Sequence, residues 1–343
     1  MPANGGSIDI RGTARAISCI ENRGAGADEI LRKSYSEARH IPVVGVTGPP
    51  GAGKSTLISR LALHWANQGE AVAILAVDPS SPFTGGAVLG DRIRMDAASS
   101  HPRVFLRSLS SRGQIGGLSS AAVDVVTLFG YLNFDRVLLE TVGAGQADIN
   151  IGDVADAVVV VSVPGLGDHV QAAKAGILEI GDVYAVNKAD LPGAATTAGH
   201  LVANLDLVYA AQPSIDRGEA LRSSPPLPGN PVLHQRHGSL GEKGGAWRPP
   251  VIPTSVGEAD GLEKLALSID QFIGWLRATG RYDQRLADRL SGHVRRTLQA
   301  KLLENCLVAA KLRGILLSDV VQEIVSGAIT PDDAVRQFAA PSR

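Results

Sequence analysis

The sequence predicts a doubly wound α/β domain built on a mostly parallel sheet, with helical extensions at both ends. Short runs of β-branched residues alternate with helical stretches, and these runs are continuously apolar. Continuous apolar strands are typical of a parallel sheet whose two faces are both covered by helices. A glycine-rich turn follows the first run and precedes a helical pattern, as expected for strand-to-helix crossovers.

The elements can be placed in order along the chain. Apolar residues at Ala16, Ile17 and Ile20, then at Ile30 and Leu31, predict one or two short amphipathic helices within 12–40. Seven predicted strands follow: Ile41–Thr47, Ala71–Asp78, Val104–Leu109, Arg136–Thr141, Ala157–Val163, Asp182–Lys188 and Val251–Ser255. From Gly261 onward, apolar residues at helical spacing predict two or more amphipathic helices.

These patterns predict three regions. Residues 1–40 form an N-terminal helical extension, 41–280 form the central domain, and 281–343 form a helical arm that could pack on the core or on a second copy. We assign this arm to dimerisation. Residues 211–246 lack periodicity and are rich in Pro, Gly and Ser, which predicts a flexible surface insertion.

Composition narrows the class of protein. The 33 Lys and Arg residues against 34 Asp and Glu residues argue against a protein that binds nucleic acid through bulk charge. A hydrophobic fraction of 44% is enough to build a core. The two cysteines, Cys19 and Cys306, are far apart in sequence and too few for a disulfide framework or a zinc cluster. With no apolar run of signal or membrane length, we expect a soluble cytoplasmic protein.

The glycine-rich turn carries the clearest motif. Gly48-Pro-Pro-Gly-Ala-Gly-Lys-Ser55 matches GxxxxGK[ST] and stands between a predicted strand and a predicted helix. The glycines allow backbone N–H groups to surround phosphates, Lys54 can reach the β- and γ-phosphates, and the Ser55 hydroxyl can bind Mg²⁺. The sequence therefore predicts a nucleoside triphosphate site.

Three carboxylates lie at or just beyond predicted strand ends: Asp78, Asp91 and Glu140. Because the carboxyl ends of parallel strands converge on the phosphate loop, these groups can hold Mg²⁺ directly or through water. Each could instead cap a helix or lie in a solvated turn. Together they favour the metal.

Glu140-Thr-Val-Gly143 has the form of a nucleotide-sensing switch, in which the acid responds to the metal and the glycine N–H meets the γ-phosphate. Gln146 could orient the attacking water, although a glutamine in a glycine-rich loop can also be a bystander. Arg92 and Arg94 are further candidates for stabilising charge. Lys54, Glu140 and Gln146 are thus the predicted catalytic residues.

A base-binding segment follows the sixth predicted strand, at Asn187-Lys-Ala-Asp190. The Asp190 carboxylate can accept hydrogen bonds from N1–H and the exocyclic amine of guanine, the Lys188 stem can cover the ring, and the Asn187 amide can brace the loops. Adenine lacks that pair of donors, so the segment predicts GTP. Thr254-Ser255-Val256 could close over the base, or could be an ordinary strand-to-helix turn.

Together these motifs resemble the methylmalonyl-CoA mutase-associated GTPases, the MeaB/ArgK/MMAA family of SIMIBI-class P-loop GTPases. The resemblance rests on Gly48–Thr56, Val-Asp-Pro-Ser-Ser (77–81), Leu-Gly-Asp-Arg-Ile-Arg-Met (89–95), Glu-Thr-Val-Gly-Ala-Gly-Gln (140–146) and Asn-Lys-Ala-Asp (187–190), and it covers most of the chain outside 211–246.

The resemblance implies a homodimeric GTPase that escorts an adenosylcobalamin-dependent acyl-CoA mutase, gating cofactor loading and protecting or reactivating that enzyme. It implies magnesium carboxylates at Asp78, Asp91 and Glu140, and a guanine-reading acid at Asp190. The implied phosphate-binding residues are Gly48, Pro49, Pro50, Gly51, Ala52, Gly53, Lys54, Ser55 and Thr56.

The family's third switch corresponds to 164–174. Here His169 stands where an acidic residue is usual, and 211–246 is longer than the family's connection. A sister mutase, acting on isobutyryl- or 2-hydroxyisobutyryl-CoA, is therefore a plausible client alongside methylmalonyl-CoA mutase.

Other function classes share this core. A nickel-delivery GTPase needs soft or imidazole ligands clustered near its switches, whereas the eight histidines are scattered. His234 and His237 lie in the insertion without further ligands. A kinase lacks an evident acceptor-activating loop here and leaves Asn187–Asp190 unexplained. A nucleotide-gated binding module, with hydrolysis as a timer, is a non-enzymatic alternative.

Overall fold

The computed structural model describes residues 8–78, 96–110, 121–141, 150–165, 180–210, 237, 245–255, 257 and 259–339. Two N-terminal helices, α1 (Ile10–Glu21) and α2 (Ala27–Glu37), precede the sheet. They occupy the stretch in which the sequence predicts amphipathic helices.

The described strands form one seven-stranded parallel sheet in the order β3-β2-β4-β1-β5-β6-β7. Their bounds are β1 (Val43–Thr47), β2 (Val72–Asp78), β3 (Val104–Ser110), β4 (Arg136–Thr141), β5 (Ala157–Ser162), β6 (Val183–Val186) and β7 (Val251–Pro253). The predicted doubly wound fold is thus confirmed. β1, β5 and β6 are buried along their whole length, which explains why their sequences are continuously apolar.

The crossover helices follow the predicted alternation. They are α3 (Lys54–Asn67), the short α4 (Asp96–Ser99), α5 (Ala121–Tyr131), α6 (Ala194–Ala210), and α7 (Ala259–Ala278), with a 3₁₀ turn at Asn150–Asp153. α3 and α7 contribute to one core cluster with alternate residues of β1, among them Ile58, Leu265 and Val46. Since β1 lies in the middle of the sheet, the turn that follows it is placed at the centre of the domain.

A buried arginine joins these two helices to the sheet. Arg136, at the start of β4, lies 4.0 Å from the centre of the Trp65 ring and donates to Asp270 at 2.8 Å. It is also paired with Glu70, and the Trp65 indole donates to the same Asp270 at 3.2 Å. The cluster attaches the C-terminal end of α3 to β4 and α7, and the glycine-rich turn lies at the opposite end of this helix.

The chain divides into two compact units, Met1–Arg289 and Leu290–Arg343. Helix α8 (Arg281–Leu312) crosses this boundary, and α9 (Leu317–Val325) and α10 (Pro331–Ala339) follow. Within the second unit, Arg313 donates to the backbone carbonyls of Gln337 and Phe338 at 3.0 and 3.2 Å. In the part of the chain that is described, no helix is long and apolar enough to cross a membrane.

His237 differs from the expected surface position. Its side chain is 1% exposed and lies 2.8 Å from Asp182, at the start of β6. The rest of the predicted insertion, apart from 245 and 246, lies outside the described residues. Asp182, which directly precedes β6, thus contacts a buried histidine from a polar, aperiodic segment. Hydrophobic periodicity does not predict such a contact.

Candidate nucleotide-binding site

The glycine-rich turn lies between the end of β1 and the start of α3. Gly48 has φ 142°, and a side chain there would place its Cβ 2.2 Å from the Val161 carbonyl oxygen of the neighbouring β5. Gly53 has φ 84° and precedes the first helical residue; a Cβ there would be 2.5 Å from the Asn187 amide nitrogen. These two positions require glycine, because both the backbone angle and the space exclude a side chain.

Lys54 is the first residue of α3, and its buried side chain turns back over the turn. The ammonium donates to the carbonyl oxygens of Gly48 at 2.8 Å and Pro49 at 3.2 Å. A cation at this place, beside the N-terminus of a 14-residue helix, favours an anion such as a phosphate.

Ser55 and Glu140 meet beside the turn. The Ser55 hydroxyl donates to Oε1 of Glu140 at 2.7 Å, and Glu140 is 2% exposed. The pairing of β1 with β4 brings them together, since Val46 lies opposite Glu140. A hydroxyl and a carboxylate are hard oxygen donors, which suit Mg²⁺. The residues present therefore fit a magnesium ion at this edge.

The other predicted metal and switch residues are only partly described. Asp78 is the last residue of β2, whose Val77 lies opposite Thr141 of β4, so Asp78 is at the same edge of the sheet as Glu140. Outside the described residues lie Asp91, Arg92, Arg94, Gln146, His169 and Val256. Among the residues that are described, no cluster of three or more His, Cys, Asp or Glu side chains could hold a metal.

The segment after β6 contacts the glycine-rich turn directly. The Asn187 side-chain amide donates to the Ala52 carbonyl at 2.8 Å, and the Lys188 ammonium donates to the Gly51 carbonyl at 3.0 Å. Lys188 adopts φ 57°, which explains why β6 ends at Val186, two residues before the predicted end of this strand. This sharp bend lets consecutive side chains reach the same loop.

The segment after β7 completes the arrangement. The Ser255 hydroxyl donates to Oδ1 of Asp190 at 2.8 Å, and the Thr254 hydroxyl donates to the Asn187 side-chain oxygen at 3.3 Å. The Ala189 backbone amide also donates to the Thr254 carbonyl, at 2.9 Å. Asp190 is exposed, so its carboxylate is accessible to a ligand. The structure thus brings the predicted base-binding residues Asn187, Lys188, Asp190 and Ser255 together.

Sequence reasoning missed Arg60. This arginine lies on α3, and its guanidinium donates to the Ser255 backbone carbonyl at 2.8 Å. The two residues are 195 positions apart, so no local pattern links them. The one available signal is a charged residue between the apolar positions of α3.

A glycine-rich turn between a central parallel strand and a helix, with a lysine folded over it and a serine–carboxylate pair beside it, defines a P-loop nucleoside triphosphatase. The family model for the methylmalonyl Co-A mutase-associated GTPase MeaB matches residues 13–311. The chain belongs to this family, and it is a GTPase.

Individual relatives agree. A Pyrococcus abyssi protein named as a GTPase is 37% identical over 317 residues, which cover 92% of this chain and 87% of that protein. The mitochondrial methylmalonic aciduria type A homolog of Caenorhabditis elegans is 29% identical over 337 residues, 93% of this chain and 76% of that one. A crystal structure of an LAO/AO transport system kinase superposes with a TM-score of 0.63 at 21% identity, covering 96% and 92% of the two chains. That structural likeness shows a shared fold.

Proposed function

We propose that this site binds GTP with Mg²⁺ and hydrolyses it to GDP and inorganic phosphate. One observation carries the proposal: hydrogen bonds connect Asp190 to Ser255, and Asn187 to both Thr254 and the glycine-rich turn. A base-reading acid and a phosphate loop are therefore built into one hydrogen-bonded frame. A frame ordered before the ligand arrives reduces the ordering cost of binding.

At the base end, Asp190 would accept hydrogen bonds from N1–H and the exocyclic amine of guanine. Its Oδ1 already accepts from Ser255, which fixes the plane of the carboxylate and leaves further lone pairs for the base. The Lys188 stem would cover one face of the ring, and Ser255 and Val256 would close over its edge.

At the phosphate end, the backbone of Gly48–Thr56 and the Lys54 ammonium would hold the β- and γ-phosphates. Ser55 and Glu140 would hold the metal, together with Asp78 and Asp91. Bound Mg²⁺ supplies neutralisation of the charge that develops on the phosphoryl oxygens. Gln146 would orient the attacking water.

Nucleotide preference tests the base end. We expect tight GTP binding, weak ATP binding and a large loss of GTP affinity in Asp190→Ala, measured by calorimetry, with the exposed Asp28→Ala as a matched control. Equal affinities of the wild-type protein for ATP and GTP, with Asp190→Ala unchanged, would refute the assignment.

We further propose that the client of this GTPase is an adenosylcobalamin-dependent acyl-CoA mutase. Support comes from the family's description and from the name of the C. elegans relative. The client would be methylmalonyl-CoA mutase or a sister such as 2-hydroxyisobutyryl-CoA mutase. The nucleotide state would gate cofactor loading and protect or reactivate the mutase.

A pull-down with each purified candidate mutase and its small subunit identifies the client. We expect one of them to bind in the presence of GTP and to accelerate hydrolysis. Cofactor loading is then compared with GTP, with a non-hydrolysable analogue and with Lys54→Ala. Loading that proceeds with the analogue shows a binding-gated module, whereas loading that needs GTP shows that hydrolysis drives it. Failure of every mutase to bind refutes the client class.

We also propose that the chain is a homodimer through its C-terminal helices. Apolar side chains lie exposed on the second unit, among them Val294, Leu298, Leu302 and Val308. Exposed apolar surface of this kind is typical of association sites. We expect a dimer by light scattering and a monomer for the Leu298→Glu, Leu302→Glu double variant; a wild-type monomer refutes the proposal. The cytoplasmic location stays a prediction from the sequence.

A further inference from the structure

The base-binding frame is anchored to the rest of the domain by two routes. Asn187 and Lys188 reach the glycine-rich turn directly. The segment after β7, which contains Ser255, is tied to α3 by Arg60, whose guanidinium donates to the Ser255 carbonyl at 2.8 Å. The same serine donates through its hydroxyl to Asp190 at 2.8 Å. One residue thus links the helix to the acid.

In the segment after β7, Thr254 is tied to the segment after β6 by its hydroxyl and its carbonyl, whereas the Ser255 carbonyl is held by Arg60. β7 has three residues, lies at the edge of the described sheet, and pairs with β6 alone among the described strands. A short edge strand is held by backbone hydrogen bonds on one side only, so it constrains the residues that follow it less than a central strand does. Ser255 nevertheless is 5% exposed, with its hydroxyl on Asp190 and its carbonyl on Arg60.

Helix α3 is a rigid support for this contact. Its Leu57, Ile58 and Leu61 side chains are buried in the main core cluster, and Trp65 fastens its far end to Asp270. Arg60 lies between those apolar positions and is half-buried. The charge-assisted hydrogen bond from Arg60, which lies on this well-packed helix, therefore fixes the position of the Ser255 backbone relative to the glycine-rich turn.

We propose that Arg60 is a positioning residue for guanine recognition. By holding the Ser255 carbonyl, it places the Ser255 hydroxyl on Oδ1 of Asp190 and so orients the carboxylate toward both N1–H and the exocyclic amine. This inference rests on the proposed guanine-reading role of Asp190. It predicts that Arg60 acts on the base and leaves phosphate binding unchanged.

A comparison of GDP with IDP shows whether the Asp190 carboxylate is correctly oriented, because inosine keeps N1–H and lacks the exocyclic amine. A well-oriented carboxylate gains from both donors of guanine, whereas a misoriented one gains little from the second. We expect Arg60→Met to weaken GDP binding by about tenfold and IDP binding by about threefold, the cost of disturbing one or two hydrogen bonds to a charged group. The preference for GDP over IDP should therefore fall.

Calorimetry with GDP, IDP and ADP on the full chain tests this, with Arg32→Met on the exposed face of α2 as the matched control. ADP binding should be unchanged in Arg60→Met, KM for GTP should rise and kcat should stay constant. Arg60→Lys, which retains a donor, should recover part of the GDP preference. Equal weakening of GDP, IDP and ADP would place the effect on the phosphate loop and overturn the proposal, as would unchanged GDP binding.

The Asp190→Asn variant distinguishes the guanine-reading role of Asp190 from the positioning role of Arg60. If Arg60 acts through Asp190, Arg60→Met adds no further loss of GDP preference in the Asp190→Asn background. If Asp190→Asn lowers the preference while Arg60→Met does not, the role of Arg60 alone is overturned. If Asp190→Asn itself keeps the wild-type preference, the proposed guanine-reading role fails, and that of Arg60 fails with it.

Discussion

The two ends of the parallel sheet carry acidic residues in opposite settings. At the carboxyl end, Asp190 is exposed and hydrogen-bonded to a serine. At the amino end, Asp156 and Asp182 directly precede β5 and β6 and are fully buried. Asp156 accepts from the Val43 amide at 2.8 Å and pairs with Arg289 at 2.5 Å. Asp182 accepts from the Val158 amide at 2.7 Å.

The difference separates charges that hold the fold from charges that meet a ligand. An aspartate before a parallel strand can bind the free amide of a neighbouring strand, and a buried cation then neutralises it. A carboxylate after a strand lies at the edge where the crossover loops converge, so it faces a ligand. Position relative to the strand, rather than residue type, distinguishes the two roles.

Breaking the amino-end pair should have the largest effect on stability. Arg289→Met leaves Asp156 buried without its arginine, which typically costs about 3–5 kcal/mol. We expect urea unfolding to show a loss of this size, while kcat for GTP stays near wild type under folding conditions. The exposed Arg32→Met on α2 is the control. A normal stability in Arg289→Met would show that this end of the sheet does not depend on the pair.

A substitution at the carboxyl end of the sheet should lower the rate of hydrolysis and leave stability unchanged. Lys54→Ala removes the cation that lies over the glycine-rich turn, and loss of one such electrostatic contact lowers kcat by about 10²–10³-fold. Phosphate release measures the rate, and thermal unfolding should stay close to wild type. The exposed Lys33→Ala on α2 serves as the control. Hydrolysis at the wild-type rate would remove Lys54 from the reaction.

Acidity should affect the amino end through Asp156. Burial opposes the charge on this group, yet the Arg289 guanidinium, with His40 and the Val43 amide, holds the pKa of Asp156 below its ordinary value. A lowered pKa stabilises the fold above the unfolded value of about 3.9, and this contribution is lost as the pH falls through the folded value. The stability gap between wild type and Asp156→Asn should be constant near neutral pH and narrow below about pH 4. A gap that widens in acid contradicts this.

Ser255→Ala should give the smallest effect. It removes the hydroxyl that orients Asp190, and one such hydrogen bond is worth about 0.5–1.5 kcal/mol, or a few-fold in affinity. KM for GTP should rise by about three- to tenfold with kcat unchanged. Steady-state kinetics measures both, and a fall in kcat with constant KM would place Ser255 in the chemical step instead.

Much of the fold could be predicted, because strands that are buried on both faces have continuously apolar sequences. The seven predicted strands are present, with ends that differ by up to two residues. Three ends differ by two residues: the start of β1 and the ends of β6 and β7. At β6 the cause is visible, because Lys188 adopts a positive φ and reaches Gly51. The sequence pattern predicts a strand through Asn187 and Lys188, because strand propensity carries no information about a bend that lets Lys188 donate to the distant Gly51 carbonyl.

Local chemistry by itself determined which residues could serve a nucleotide: the glycines of 48–53, Lys54, and the Asn187–Asp190 segment each have a motif and a strand before them. Only the tertiary structure decided how they are joined. The Arg60–Ser255, Ser55–Glu140 and His237–Asp182 contacts link residues 195, 85 and 55 positions apart. Such contacts depend on how parallel strands align and helices pack, and no periodicity in one segment encodes the partner in another.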